Sequence, residues 1–555
     1  MLGRVNNMEE NARTVSGNIV DVLNSGIYPG TIRISGGRIA DIIREDSEYE
    51  TYIIPGFIDS HIHVESSMLT PSEFARAVVI HGTVAVVSDP HEIANVLGVD
   101  GIKYMIEDAG TVPLKFYFGA PSCVPASPFE TGGAIVGPEQ VEELFKLDAV
   151  KYLGEVMDFP GVLSGDPVIK KKIDLAKKYS KMIDGHAPGL RGDDLERYVN
   201  EGISTDHECF TREEALEKAG LGIKIQIREG SAARNFEELI PVIKEHHESC
   251  MFCSDDRHPD DLAKGHINHL VKRALKHGID VMKVLRVACV NPVLHYKLDT
   301  GLLRTGDRAD FLVIDNLNDF NVLKTYINGE IVAERGQSLI NKKSSKIINN
   351  FTAGKKEIAD FILPCENGEI NVIEVMESQL ITNKLRAAAK VVDGCAVSDI
   401  SRDILKAAVV NRYGGAEIAT GFVKNFGLKK GAIGSSVAHD SHNIVAVGVA
   451  DEDICRAVNL IIENKGGISA VSEEKTMVLP LPVAGLMSDG DYKDVAEQYT
   501  AINNMTRSLG SRLHAPFMTL SFLTLLVIPE IRLSDKGLFD VEKREFTGVC
   551  VSLQY

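Results

Sequence analysis

His61-Ile62-His63 is the first place in this 555-residue chain where residue types and spacing could do chemistry. Strand side chains alternate faces, so two imidazoles two residues apart project the same way, and Asp59 shares their face. Together they can hold one metal ion. A pair of surface histidines is the plain alternative. The apolar lead-in Ile53-Ile54-Pro55-Gly56-Phe57-Ile58 argues against it, because it places the pair at the C-terminal end of a buried strand. Further strand-like runs end in the same residue types. Lys151-Tyr152-Leu153-Gly154 leads to Glu155, Lys181-Met182-Ile183-Asp184-Gly185 to His186, and Ile203-Ser204-Thr205-Asp206 to His207. Cys253-Ser254 leads to Asp255-Asp256, of which alternation lets only one face inward. Four histidines and two carboxylates are enough for two adjacent divalent ions.

Such strand ends need a frame that gathers them. Residues 55–300 alternate apolar runs (83–89, 114–120, 149–158, 181–187, 202–208, 222–230, 249–256) with helical patterns such as 71–82, 168–182 and 266–278. Repeated βα units of this kind predict an α/β fold, a TIM-type (β/α)8 barrel. An open doubly wound sheet is the rival, but no glycine-rich dinucleotide fingerprint follows the first strand. The β-rich flanks 17–45 and 301–334 predict a small β domain from both sides of the barrel, 1–54 plus 301–345. A polar, lysine-rich connection (341–357) leads to a C-terminal α+β domain, 350–555.

Sixty Lys and Arg against 78 Asp and Glu give a formal charge of −18, which speaks against a nucleic-acid partner. Nine scattered cysteines fit a reducing compartment. The N-terminus has no signal-like apolar core, and the apolar run 516–530 is too short to span a membrane. It reads as a buried helix or strand pair, and the chain as cytoplasmic. Cys250 and Cys253 form a lone CxxC pair and read as buried thiols. His63-Val64-Glu65 matches HxE by letter, but no Pro-Cys-x-x-Cys follows, which rejects the zinc nucleoside deaminase class. Arg228 and Glu229 read as solvated charges, and His246, His247, His269, His277 and His295 as surface or helix histidines.

The order HxH, carboxylate, His, His, Asp resembles the amidohydrolase superfamily, as does the flanking stretch 301–313. The strings 88–98, 154–157, 255–259, 434–443 and 479–485 resemble the bacterial adenine deaminases, over nearly the whole chain. The resemblance implies that His61 and His63 bind the more buried metal, that Glu155 bridges two ions, and that His186 and His207 bind the second. Asp255 would bind the first and transfer the proton, with Asp256 its rival. It implies manganese, with iron or zinc as alternatives, and hydrolysis of adenine to hypoxanthine and ammonia by a metal-activated hydroxide, in purine salvage. Which group protonates the ring nitrogen, Glu155, His207 or a neighbour, stays open. Asp89 and His91 would join the site, although Asp89 and Pro90 also suit a helix start. His439, Asp440 and His442 either touch the substrate or form a turn. Homo-oligomers, dimers first, are common among relatives. Two alternatives are another hydrolase of the superfamily, acting on a cyclic amide, and a non-enzymatic relative, which would typically have lost ligand positions that are filled here.

Overall fold

The computed structural model describes residues 13–551, apart from 366–367, 378–379 and 416–417. Eight parallel strands frame its centre: β1 (Phe57–Ile62), β2 (Thr83–Ser88), β3 (Lys115–Ala120), β4 (Val150–Val156), β5 (Met182–Gly185), β6 (Thr205–Asp206), β7 (Lys224–Arg228) and β8 (Cys250–Cys253). They form two curved arcs, β1 to β5 and β6 to β8, each in chain order. Hydrogen bonds cross both seams. Ser204 N donates to Ile183 O at 3.0 Å, and Asp255 N donates to His61 O at 3.0 Å. Every residue of β1, β2 and β8 is buried, as expected where a parallel sheet is covered on both faces.

Helices cover the outside with one apolar stripe each. Ile267–Lys276 buries Ile267, Leu270, Val271 and Ala274, an i, i+3, i+4, i+7 pattern. Asp166 and Thr211 cap the helices Pro167–Lys178 and Arg212–Gly220 (α1) through their side-chain oxygens. The strand expected over 202–208 shrinks to two residues. Asp206 Oδ1 accepts the Glu208 amide at 2.7 Å, and this local turn takes His207 out of the ladder.

Both flanks enter one eight-stranded sheet, in which Phe311–Ile314 lies antiparallel to Tyr52–Pro55. Its Gly36-Gly37 turn has φ of 58° and 76°, the left-handed pair that a tight two-residue hairpin requires. The C-terminal region is built on a nine-stranded sheet. Helix Asp451–Glu463 packs Ile454, Val458 and Ile461 against Ala408, Val410, Ile444 and Ala446 of that sheet. The connection 341–357 has neither helix nor strand but is fastened to both neighbours: Ser345 Oγ to Asp108 Oδ2 (3.0 Å), Ala484 N to Ile348 O (2.7 Å). The run 516–530 is helix Pro516–Phe522 followed by turns, with no strand pair. Among the described residues, no helix is long and apolar enough to cross a membrane.

Candidate active site

The C-terminal strand ends converge on one point. Glu155, on β4, sits at the centre with its two oxygens facing different partners. Oε1 lies 3.2 Å from His63 Nε2 and 3.9 Å from His61 Nε2. Oε2 lies 2.7 Å from His186 Nδ1 and 3.3 Å from His207 Nε2. Asp255, just past β8, brings Oδ1 within 3.1 Å of His63 Nε2 and 3.6 Å of His61 Nε2. Its backbone adopts φ +54°, an uncommon conformation for a non-glycine residue, held here by hydrogen bonds to β1 on both sides. Asp59 lies one layer deeper, bonded to Ser254 Oγ (2.5 Å) and paired with His266 Nε2 (2.8 Å).

These residues fit a divalent metal. Ligand atoms of His61, His63 and Glu155 lie within 4.8 Å of one another, as do those of Glu155, His186 and His207. Both ring nitrogens of His61 are buried without a hydrogen-bond partner, a costly state that a bound cation would relieve at the nitrogen facing the carboxylates. His63 turns Nδ1 to the Asp89 carbonyl at 3.0 Å, which leaves Nε2 free toward the carboxylates. Burial alone raises a carboxyl, but His207 and His186 hold Glu155 well below the usual carboxylate range. Asp255 is also held well below that range against its burial, first by Arg228 and then by His63. Asp256 moves the other way, raised by burial and by Asp255 beside it. Burial and His207 push His61 well below the ordinary imidazole value, which keeps its ring neutral as a ligand must be.

Asp89 stands directly behind Glu155, and His91 lines the cavity beside it. Asp89 Oδ2 accepts the Glu155 amide at 2.8 Å, and a Cβ on Gly154 would sit 2.3 Å from that oxygen, so glycine is needed there. His91 Nδ1 lies 3.5 Å from Asp89 and 3.6 Å from Glu155. The C-terminal region closes the opposite side. His439 Nδ1 is 2.5 Å from Glu92 Oε1, its Nε2 is 3.9 Å from Asp256, and its ring stacks on Phe522 at 4.5 Å. Thr524 Oγ1 donates to the His439 carbonyl at 2.8 Å, so the apolar run 516–530 seats this histidine. Asp440 reaches to 3.9 Å from His91 Nε2, while His442 pairs with the far oxygen of Glu92 and does not line the cavity. The cavity's polar wall includes Glu155, His207, Asp255 and Asp440. Its apolar wall is Met157, Leu380, Phe522, Leu525 and Ile528.

Arg228 corrects the expectation of a solvated charge. It is 2 % exposed, and its guanidinium binds Glu208 and Asp255 Oδ2, the latter at 2.7 Å. Glu208 and Glu92 also escaped sequence reasoning, although both line the cavity. The usable signal for Arg228 was alternation: it shares the inward face of β7 with the fully buried Gln226. Cys250 and Cys253 are buried and unpaired, as expected.

Comparisons with known proteins identify the family. Residues 52–332 match the model of the amidohydrolase family, and residues 379–545 match that of the adenine deaminase C-terminal domain. The adenine deaminase of Sulfurovum sp. is 55% identical over 96% of this chain and 99% of its own. That of Salinibacter ruber is 54% identical over 96% and 98%, and that of Methanosarcina barkeri 51% over 96% and 98%. The two family models together span most of the sequence, the relatives match it over nearly its whole length, and the chain belongs to the adenine deaminase family of the amidohydrolases.

Proposed function

We propose that the chain hydrolyses adenine to hypoxanthine and ammonia at this cluster, with two divalent ions, manganese first and iron or zinc as alternatives. The observation that carries the reading is the division of Glu155: one oxygen faces His61 and His63, the other His186 and His207. Bound there, such ions would lower the pKa of a water and so supply the nucleophile. Asp255 Oδ1 takes one proton from the attacking water and returns it to the amine leaving C6, and the water's other proton ends on the ring nitrogen beside C6. Arg228 keeps Asp255 anionic before that transfer and holds its other oxygen in place. Asp89 fixes the Glu155 backbone, and His91 packs against its carboxylate. The apolar wall suits one face of a planar base. His439 and Asp440 present polar atoms to its edge, and His442 steadies His439 through Glu92.

The test is ammonia release from a purine panel, run with manganese, iron and zinc separately. Release from adenine supports the reading. No turnover of adenine at any pH, or opening of a cyclic amide instead, sinks it. In the same reading the chain divides near 54, 300 and 345–350, forms a homodimer and works in purine salvage in the cytoplasm, where its nine free cysteines would stay reduced. Light scattering checks the dimer: a monomeric mass removes it.

A further inference from the structure

Lys218 is 0 % exposed on the inner side of α1. A lysine ammonium has three donors and no acceptor. All three are used: Ala187 O at 2.7 Å, Glu214 Oε1 at 2.7 Å, and Asp206 Oδ2 in a short contact. Two of these partners have a special place in the chain. Ala187 directly follows His186, and Asp206 directly precedes His207. Glu214, one turn before Lys218 on the same helix, accepts the Gly189 amide at 2.9 Å and the Phe210 amide at 3.1 Å. The two segments that carry His186 and His207 are therefore both moored to α1, and the ammonium is the knot between them. Among the described residues no other cation is bonded to Asp206, so its charge rests on this contact.

We propose that Lys218 is a positioning residue for the His186 and His207 half of the metal centre, which it builds by fastening the backbone after one imidazole to the side chain before the other. The inference rests on the two-ion reading above. Removing the ammonium leaves two buried carboxylates facing each other without a counter-charge, and they can separate only by moving the segments they hold. The His61, His63 and Asp255 half hangs from the β1 and β8 backbones and has no bond to Lys218.

The test is equilibrium Mn²⁺ binding by metal-free protein, followed by the electron paramagnetic resonance of free Mn²⁺. Lys218→Met should keep one tight ion and bind the second about 10–100-fold more weakly, as measured for other outer partners of metal ligands. Lys218→Arg keeps the charge and should recover part of that loss. If the single variant does not fold, Asp206→Asn with Lys218→Met removes one of the two unpaired charges and should show the same weakened second ion. Lys406→Met, at a buried lysine of the C-terminal region bonded to Asp451, should lose stability yet keep both ions. Unchanged binding of both ions by Lys218→Met overturns the role. So does an equal weakening of both, matching the fall in unfolding temperature. Wild-type protein that takes only one ion overturns the two-ion reading, and this inference with it.

Discussion

The two halves of the cluster are held by different means. His61, His63 and Asp255 belong to one stretch of backbone ladder: Asp255 donates to the His61 carbonyl and accepts from the His63 amide. His186 and His207 lie past the ends of β5 and β6, where the ladder has stopped, and side chains do the holding. Lys218 and Glu214 act from α1. Tyr198 acts from helix Gly192–Asn200, accepting the His186 amide at 3.1 Å and donating to Val156 O at 2.8 Å. A ladder places a ligand through many shared bonds. A side-chain mooring places it through few, so single substitutions should reach the second half more readily than the first.

The largest effect is expected at Asp255. Asp255→Asn should lower kcat by about 10²–10⁴-fold with the circular dichroism spectrum unchanged, because it loses a proton carrier but keeps the ladder. Activity near wild type would move the role to Asp256. Next comes the side of the cavity that neither half supplies. His439→Ala should raise the KM for adenine about tenfold, the effect of losing a charge-assisted hydrogen bond. An unchanged KM would make the C-terminal cluster structural.

His439 also sets a pH dependence. Burial lowers its pKa, but Glu92 and Asp256, with Asp440 beside them, lift it to about 9. A raised folded value means that the stabilisation is complete below the unfolded value of about 6.5 and fades as pH rises through the folded one. Unfolding temperature should therefore fall from about pH 7 to about 9, and less so in His439→Ala. Equal slopes in the two proteins would contradict the pairing.

A smaller effect sharpens the contrast between the halves. Tyr198→Phe leaves a buried amide and carbonyl without their partner, and should weaken the second ion about fivefold while sparing the first, read by Mn²⁺ titration. Smallest of all, Thr211→Ala removes the cap of α1. It should cost about 1 kcal/mol in denaturant unfolding and leave both ions bound. A lost ion there would show that the mooring depends on the helix end as well as on Lys218.

Much of the site is legible in the amino-acid sequence. The ladder-held half can be read because its signal is local: an apolar run, a period of two, and polar residues at its end. Glu155, His186 and His207 follow from the same pattern at other strand ends. Arg228 is easily misread because charge on a strand end looks solvated until its partners are known. Those partners, Glu208 and Asp255, are 20 and 27 residues away. Glu92 is hidden by a stronger form of the same effect, since His439 lies 347 positions from it.

His61, His63, Glu155, His186, His207 and the Asp255-Asp256 pair, as residue types at the ends of strand-like runs, were legible in the sequence itself. Strand periodicity and burial act over a few residues, and they leave a pattern that can be read in a line. The tertiary structure alone decided which of Asp255 and Asp256 faces the imidazoles, that His439 rather than His442 lines the cavity, and that Lys218 and Arg228 are interior cations. Each of these depends on which distant groups share a dry space. In such a space a charge persists only beside its partners, and no local pattern records who those partners are.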